Sequence, residues 1–449
     1  MRTILTVALF LVVAFPGRSQ DRDTVVLTLD ECIQIALDRN NELKRAKNEE
    51  LIARANRFQA IMNFFPSLSA GVNYDFFFGN FFDTNAARQV SATTNSSRPN
   101  VSSSLTIFNG FSNHYNLKSR ENELTAANQS IEGTKISVES DILTNYLNVI
   151  QSKENLKISQ QRIDLLSQQL DRAKKRESVG VGSMEDVYNF QSQLATEKLA
   201  LTNRKNEVKR LKLILLQSMQ MDVIEAVYEV AAVNIDEIED SSELPAFDDF
   251  LNEVLAEIPT VLAARSTLDA SRYRMKATSA DRMPSITLGG TIGSNYSSNG
   301  ARNPQTGEFE ANATVVEQLG YNEFQYLNFR LNIPIFRNFQ RTTNFQVAKI
   351  NLANAEIGVK EAVNRVTNAV QQAYLDYSAA KEVFQSSTEN LEALEQSFYF
   401  MKKRYELGNS DFYNYLESLN NKNRAELQLI NAKYSMIFRK KVLDLYRSL

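Results

Sequence analysis

The chain is written twice at a fixed spacing. Phe108-Asn109-Gly110-Phe111 returns as Phe336-Arg337-Asn338-Phe339, and 336 − 108 = 228. The same interval carries Leu124 onto Leu352, Tyr146-Leu147 onto Tyr374-Leu375, Lys175-Arg176 onto Lys403-Arg404, Gly180 onto Gly408 and Leu215 onto Leu443. Upstream of the Phe motif the interval is 218: Leu37 pairs with Leu255, and Pro66-Ser67-Leu68 with Pro284-Ser285-Ile286. The ten-residue difference falls between Pro284 and Phe336. Two long, nearly gapless copies make a pseudo-symmetric object, so its function is to be sought in what two such halves enclose.

Each copy changes period along its length. Residues 30–63 read as one helix, with Ile33, Leu37, Leu43, Ala46, Leu51, Ala55, Phe58 and Met62 on helical spacings, and Pro66 ends it. A strand over about 67–78 follows, where Leu68, Ala70, Val72, Tyr74 and Phe76 alternate with polar residues. The Asn-, Thr- and Ser-rich stretch 79–99 reads as a loop, and a second strand occupies about 100–108. The second copy predicts strands over about 285–296 and 325–336. Strands of this length, apolar on one face and polar on the other, fit an outer-membrane β-barrel. An ordinary antiparallel sheet with one solvated face fits the strands alone equally well. Four strands cannot close a barrel, so membranous strands would require an oligomer.

After each strand pair comes a sustained heptad pattern. Leu117, Leu124, Ile131 and Val138 repeat every seven, then Ile142, Val149, Leu156, Ile163 and Leu170 after a four-residue insertion; Phe345, Leu352, Val359 and Val366 precede the same stutter in the second copy. Such spacing predicts coiled-coil helices over 112–178 and 340–406, each roughly 100 Å long at 1.5 Å per residue. Gly180 and Gly408 mark turns, beyond which shorter helices begin. A solvent-exposed dimeric coiled coil is the plain alternative for any one helix, but it leaves the strands spliced in after Pro66 and Pro284 unexplained.

Residues 1–19 have a charged Arg2, an apolar core and small residues at 17 and 19, which predicts a secretory signal peptide cleaved before Gln20. The only cysteine, Cys32, follows Leu29-Asp30-Glu31 without a lipobox and leaves no disulfide framework. Beyond the signal no apolar run is long enough for a membrane helix. Without Arg2 and Arg18, 50 − 2 = 48 basic side chains face 53 acidic ones, a balance that does not suggest nucleic acid as a partner.

The order and duplication of Ala36-Leu37 before Asn41, Pro66-Ser67-Leu68 with Pro284-Ser285-Ile286, Phe108-Asn109-Gly110, Val179-Gly180 through Asp186-Val187, and Arg404-Tyr405-Glu406-Leu407-Gly408 resemble the TolC family of outer-membrane efflux proteins. The likeness covers essentially the whole chain beyond the signal. It implies an α+β membrane protein with two repeats, 20–246 and 247–449, each helix-strand-strand-helix-helix. As a homotrimer it would close a 12-stranded barrel (3 × 4) continued by a long α-helical periplasmic tunnel. A periplasmic adaptor (membrane fusion protein) and an inner-membrane RND, ABC or MFS transporter would complete the machine, outer-membrane lipid would surround the barrel, and residues 222–247 would form a belt around the tunnel. The second Phe motif departs from the family's usual Phe-Asn-Gly-Gly, which puts its turn geometry in question.

No catalytic constellation, cofactor motif or metal-ligand spacing is present, and the single His114 sits polar-flanked at a strand-to-helix junction. The resemblance instead directs attention to the periplasmic tip. By motif position Asp186 and Tyr405 match the family pair whose cross-hairpin hydrogen bond keeps the entrance shut. Asn414 and Glu417 fall where family members often carry two acidic rings, so one ring of three carboxylates is expected here, suited to binding multivalent cations. Ser410 replaces the family's frequent basic partner and Glu185 its hydroxyl partner, which argues against a second lock of the family's type. Val179, Gly180, Leu407 and Gly408 would meet the adaptor. Tyr74, Phe76, Phe77, Phe78, Phe81, Phe82, Phe324, Tyr326 and Phe329 form either an interfacial girdle or a packed aromatic loop. The competing functions are a periplasmic coiled-coil adaptor or structural envelope protein without a channel, and an enzyme built on a carboxylate pair, for which no pocket is indicated.

Overall fold

A computed structural model describes residues 24–83, 87–91, 93–221, 227–231 and 245–447. The signal region and most of the expected belt, 222–226 and 232–244, lie outside them. The chain divides into two compact units, one built from residues 1–40, 138–242 and 377–441 and the other from 41–137, 243–376 and 442–449.

Strand β1 (Thr24–Leu27) leads into α1 (Leu29–Arg39), opened by a capping box in which Thr28 and Glu31 satisfy each other's amides. The helix expected over 30–63 is broken: Asn40 is extended at φ −58° and ψ 127°, and α2 (Asn41–Met62) starts afresh. The second copy breaks in the same way further along, where α5 (Phe247–Glu257) and α6 (Pro259–Ala280) meet at Ile258. There the cause is explicit, since the residue before a proline is driven out of the helical region. A single extended residue leaves the apolar spacing on either side nearly undisturbed, which is why periodicity alone read one helix.

Between α2 and α6 lie β2 (Ser67–Phe77), β3 (Asn80–Asp83), β4 (Arg88–Ser91), β5 (Thr94–Phe108), α3 (Ser112–Ser178), α4 (Met184–Ser218) and β6 (Val227–Val230). After α6 come β7 (Ser285–Gly293), β8 (Tyr296–Ser297), β9 (Ala301–Arg302), β10 (Phe309–Glu310), α7 (Val315–Tyr321), β11 (Phe324–Asn332), α8 (Gln340–Glu406) and α9 (Phe412–Arg447). The stretch 79–99 is therefore not a plain loop. Strands β3 and β4 form a hairpin, and β5 begins at Thr94, with Thr94 to Ser104 paired residue by residue against β2. Ladder hydrogen bonds join backbones, so a polar run serves as strand when its partner strand is long enough. The last strand, by contrast, stops at Asn332 rather than 336, because Pro334 has no amide to donate.

The unit containing these strands is organised by an antiparallel sheet in the order β11-β7-β5-β2, with β8 added beside β5. Register brings most of the apolar residues to one face, with Ser97 opposite Tyr74 and Asn95 opposite Phe76. Leu68, Ala70, Val72, Tyr74 and Phe76 share a face with Val101 and Leu105 of β5, Leu288 and Ile292 of β7, and Leu327, Phe329 and Leu331 of β11. That apolar face is bare: Leu68 is 77% exposed, Val72 70% and Phe329 70%. The opposite face carries Ser69 bonded to Ser102 at 2.8 Å, with Asn73, Thr287, Asn328 and Arg330. The outer edges of β2 and β11 have no strand partner among the described residues. In the same unit α3 packs on α6 through Ser119, which donates to the Ala270 carbonyl at 2.9 Å.

The connections at the far ends of the strands differ between the copies. The first has the β3–β4 hairpin, with Phe78 and Phe82 exposed; the side chain of Phe81 lies outside the described set. The second is braced by Gln318 of α7, which is 1% exposed, accepts from the Ser297 amide and donates to the Ala313 carbonyl, each at 2.9 Å. Arg88 stacks over Phe309 at 4.6 Å and ties the two connections together.

The Phe motifs fold alike despite their different sequences. Gly110 and Phe111 have φ of +67° and +68°, and their counterparts Asn338 and Phe339 have +45° and +59°. The paired rings are edge-on in both, Phe108 to Phe111 at 5.5 Å and Phe336 to Phe339 at 5.6 Å. Asparagine is the residue that best replaces glycine in the left-handed region, so the second motif keeps the turn.

In the other unit, β1 and β6 pair in parallel and lie on a core of Cys32, Ala36, Val138, Ile142, Tyr146, Val149, Leu215, Met219 and Tyr434. The Tyr146 hydroxyl donates to the Ala231 carbonyl at 2.9 Å, and burial pushes its pKa up to about 12. Glu229 of β6 accepts from Lys212 at 2.5 Å and Lys153 at 3.1 Å. Burial works to raise its pKa, but the two lysines outweigh burial and hold it below the ordinary value.

Candidate functional site

The turn after α3 and the turn after α8 are the same device. Gly180 at φ +77° donates to Glu177 and Val181 to Arg176, at 2.9 and 3.0 Å; Gly408 at φ +74° donates to Tyr405 and Asn409 to Arg404, at 3.1 and 2.8 Å. These are paired Schellman closures, and glycine is required by the left-handed backbone, since a Cβ at either site would meet open space. Lys175, Arg176, Lys403 and Arg404 sit in the last turns, where the helix dipole favours cations. Beside these turns Val179 (72%) and Leu407 (75%) are exposed.

The next helices are capped differently. Ser183 Oγ accepts from the Glu185 amide at 3.1 Å to open α4. Asp411 opens α9, taking the Asn414 amide at 2.8 Å and its side-chain amide at 2.9 Å. Asn414 is thereby bonded to its own cap. Beneath the turns the four helices enclose Leu166, Leu170, Val187, Phe190, Phe412, Tyr415 and Leu419. The aromatic rings interlock: Phe190 meets Phe412 edge-on at 4.6 Å, and Tyr405 stacks on Tyr415 at 4.8 Å.

On this platform Tyr405 donates to Asp186 Oδ2 at 3.4 Å, joining α8 to α4. Burial raises the Asp186 pKa, opposed by that hydrogen bond and by the Arg176 charge. Burial and the Asp186 charge raise Tyr405, so at neutral pH it is a phenol able to donate. The Arg176 guanidinium lies 5.7 Å from the Tyr405 ring, at a crevice of about 500 Å³ that Arg172, Lys402, Glu406 and Tyr415 also line. One residue that no motif pointed out also crosses the gap: the Tyr413 hydroxyl donates to Glu185 Oε1 at 3.3 Å. The only sequence signal for it is that 413 − 185 = 228. The Ser410 hydroxyl donates to Met401 Sδ at 3.2 Å. Glu417 is exposed on α9, two positions beyond the buried Tyr415.

His114 is exposed, its ring edge-on to Tyr115 at 5.8 Å. Among the described residues no group of three His, Cys, Asp or Glu could hold a metal ion, and no helix is long and apolar enough to cross a membrane.

A family model described as outer membrane efflux protein matches residues 32–219 and 250–446. The outer membrane protein TolC of Vibrio cholerae serotype O1 is 23% identical over 332 residues, 72% of this chain and 70% of that protein. The outer membrane efflux protein BepC of Brucella suis biovar 1 is 18% identical over 331 residues, 74% of this chain and 67% of that protein. Among solved structures, CusC superimposes with a TM-score of 0.78 at 15% identity, over 97% of this chain and 95% of that one. The CmeC outer membrane channel of Campylobacter jejuni gives 0.76 at 15% identity, over 99% and 93%.

Proposed function

The chain belongs to the outer membrane efflux protein family, and from that premise we propose that it is the passive exit duct of a tripartite efflux or type I secretion system, gated at the turns beside Gly180 and Gly408. It is an outer-membrane efflux channel protein of TolC-like α+β fold that extends into the periplasm, and its relatives are channels, not enzymes. The observation that carries the finer reading is the sheet. Its apolar face is bare and two of its edges are open, which suits lipid on one side and further copies at both edges. Three copies would contribute four strands each to one closed barrel.

In this reading an inner-membrane RND, ABC or MFS transporter supplies the cargo and a periplasmic adaptor engages the tip through the exposed Val179 and Leu407 beside Gly180 and Gly408. Opening requires the hairpins to splay, which lengthens the bond from Tyr405 to Asp186. Three Glu417 carboxylates would ring the entrance, with Asn414 neutral beside them. A periplasmic adaptor without a channel is disfavoured by the apolar sheet face, which such a protein would have to expose to water.

The test is electrical. Trimers purified from the outer-membrane fraction and placed in planar bilayers should pass small, stable currents, and Tyr405→Phe with Asp186→Ala should raise single-channel conductance several-fold, on the order of threefold to tenfold for a partly buried, charge-assisted bond. Release of the chain from membranes by carbonate, or absence of any conductance, would defeat the duct reading; unchanged conductance in the double variant would defeat the gate. Glu417→Ala should abolish block by multivalent cations added on the tip side.

A further inference from the structure

A second bond spans the same gap as the one from Tyr405 to Asp186, and no motif of the sequence supplies it. Tyr413 is the repeat mate of Glu185, so the first turns of α4 and α9 touch at the same position in the two copies. Both ends of the bond are held. The Glu185 amide is fixed by Ser183 Oγ at 3.1 Å, and the carboxylate stands at a helix N-terminus, where negative charge is favoured. Tyr413 follows the buried Phe412, whose ring lies edge-on to it at 6.3 Å, and precedes the buried Tyr415 by two. Ser410, which stands where a basic partner would be expected, donates to Met401 Sδ instead.

We infer that Tyr413 and Glu185 form a second latch across the hairpins, distinct in kind from the first. The Tyr405 ring is half-buried in an aromatic platform, whereas Tyr413 is 65% exposed and its bond competes with water. Glu185 and Asp186 are adjacent on one turn, so the two phenols grip that turn at two points. A contact at one point lets one hairpin swivel over the other; a contact at two points resists swivelling as well as separation. Losing the outer latch therefore matters most when the inner one is already gone.

This inference rests on the gate reading above, and the experiment separates the two. Full-length trimers in planar bilayers are compared with Tyr413→Phe, which keeps the ring and removes only the hydroxyl, and with Glu185→Gln. Tyr413→Phe alone should raise conductance by less than about twofold, and in the Tyr405→Phe background by about threefold, the range expected of one exposed bond. Because the two residues share one bond, Glu185→Gln added to Tyr413→Phe should change nothing further. Independently, Glu185→Ala, which removes the acceptor, should raise conductance in the Tyr405→Phe background by the same factor as Tyr413→Phe. The second latch is overturned if Tyr413→Phe is silent in the Tyr405→Phe background, if Glu185→Ala is silent there, or if the Tyr413 and Glu185 effects multiply. If Tyr405→Phe with Asp186→Ala is itself silent while Tyr413→Phe still raises conductance in the Tyr405→Phe background, the first latch fails and the second stands.

Discussion

The two copies agree in backbone and disagree in side chains at one end of each repeat, and disagree in both at the other. At the turns after α3 and α8 the hydrogen bonds and dihedral angles match almost atom for atom, while Glu185 faces Tyr413 and Asp186 is mirrored by Asn414. At the far ends of the strands a short hairpin in one copy is answered by β8, β9, β10 and a capped helix in the other. Backbone agreement with side-chain divergence suits the proposed gate: the hinge geometry would be common, and the bonds holding it shut would be made between unlike partners. Divergence of the backbone itself marks parts free to serve one copy only.

The comparison can be broken most forcefully at the Phe motifs. A Cβ on Gly110 would stand 2.6 Å from Met283 Cβ and 2.7 Å from the Ala280 carbonyl, in addition to adopting φ +67°. Gly110→Ala should therefore destabilise by about 3 kcal/mol, while Asn338→Ala, at the equivalent turn, should lose only about 1 kcal/mol. Thermal melting of the detergent-solubilised protein measures both; equal losses would mean that the glycine is needed for its dihedral angle alone. At the tip the copies should behave alike, Gly180→Ala and Gly408→Ala each costing about 1 kcal/mol, because neither glycine is crowded and both are left-handed. A large difference between them would show that something beyond the turn depends on one copy.

The smallest effect is expected at Glu229. Its pKa is lowered in the folded chain, so the stability it contributes is present above the ordinary value of 4.5 and disappears as pH falls through the lowered one. The melting point of Glu229→Gln should lie roughly 0.5 °C below that of the native chain at pH 7, and the two should converge in acid. A constant gap across pH would mean that the lysines hold Glu229 by geometry and not by charge.

The fold class was legible because it is stated redundantly. Heptads sustained from Leu117 to Leu170 and again from Phe345, a glycine after each Lys-Arg pair, and alternation from Leu68 to Phe76 all point to one architecture. What escaped was decided by backbone or by tertiary contact. Asn40 breaks a helix without disturbing its apolar spacing. Asn95 to Asn100 became strand because β2 offered a ladder, not because their side chains prefer one. At the tip the motif indicated Tyr405 and Asp186, but the bond of Tyr413 to Glu185 depends on two turns meeting, and the repeat interval says only that the positions are equivalent.

The open edges of β2 and β11 have a genetic consequence. A lone subunit placed in lipid would leave two rows of backbone amides and carbonyls without partners, so insertion and assembly must be one event. In the proposed trimer a subunit whose edge strand cannot pair would spoil every barrel it joins. With equal amounts of intact and defective chain, only about one barrel in eight would be wholly intact. Edge defects should therefore be dominant, whereas defects confined to a latch should be diluted by the neighbours that still hold.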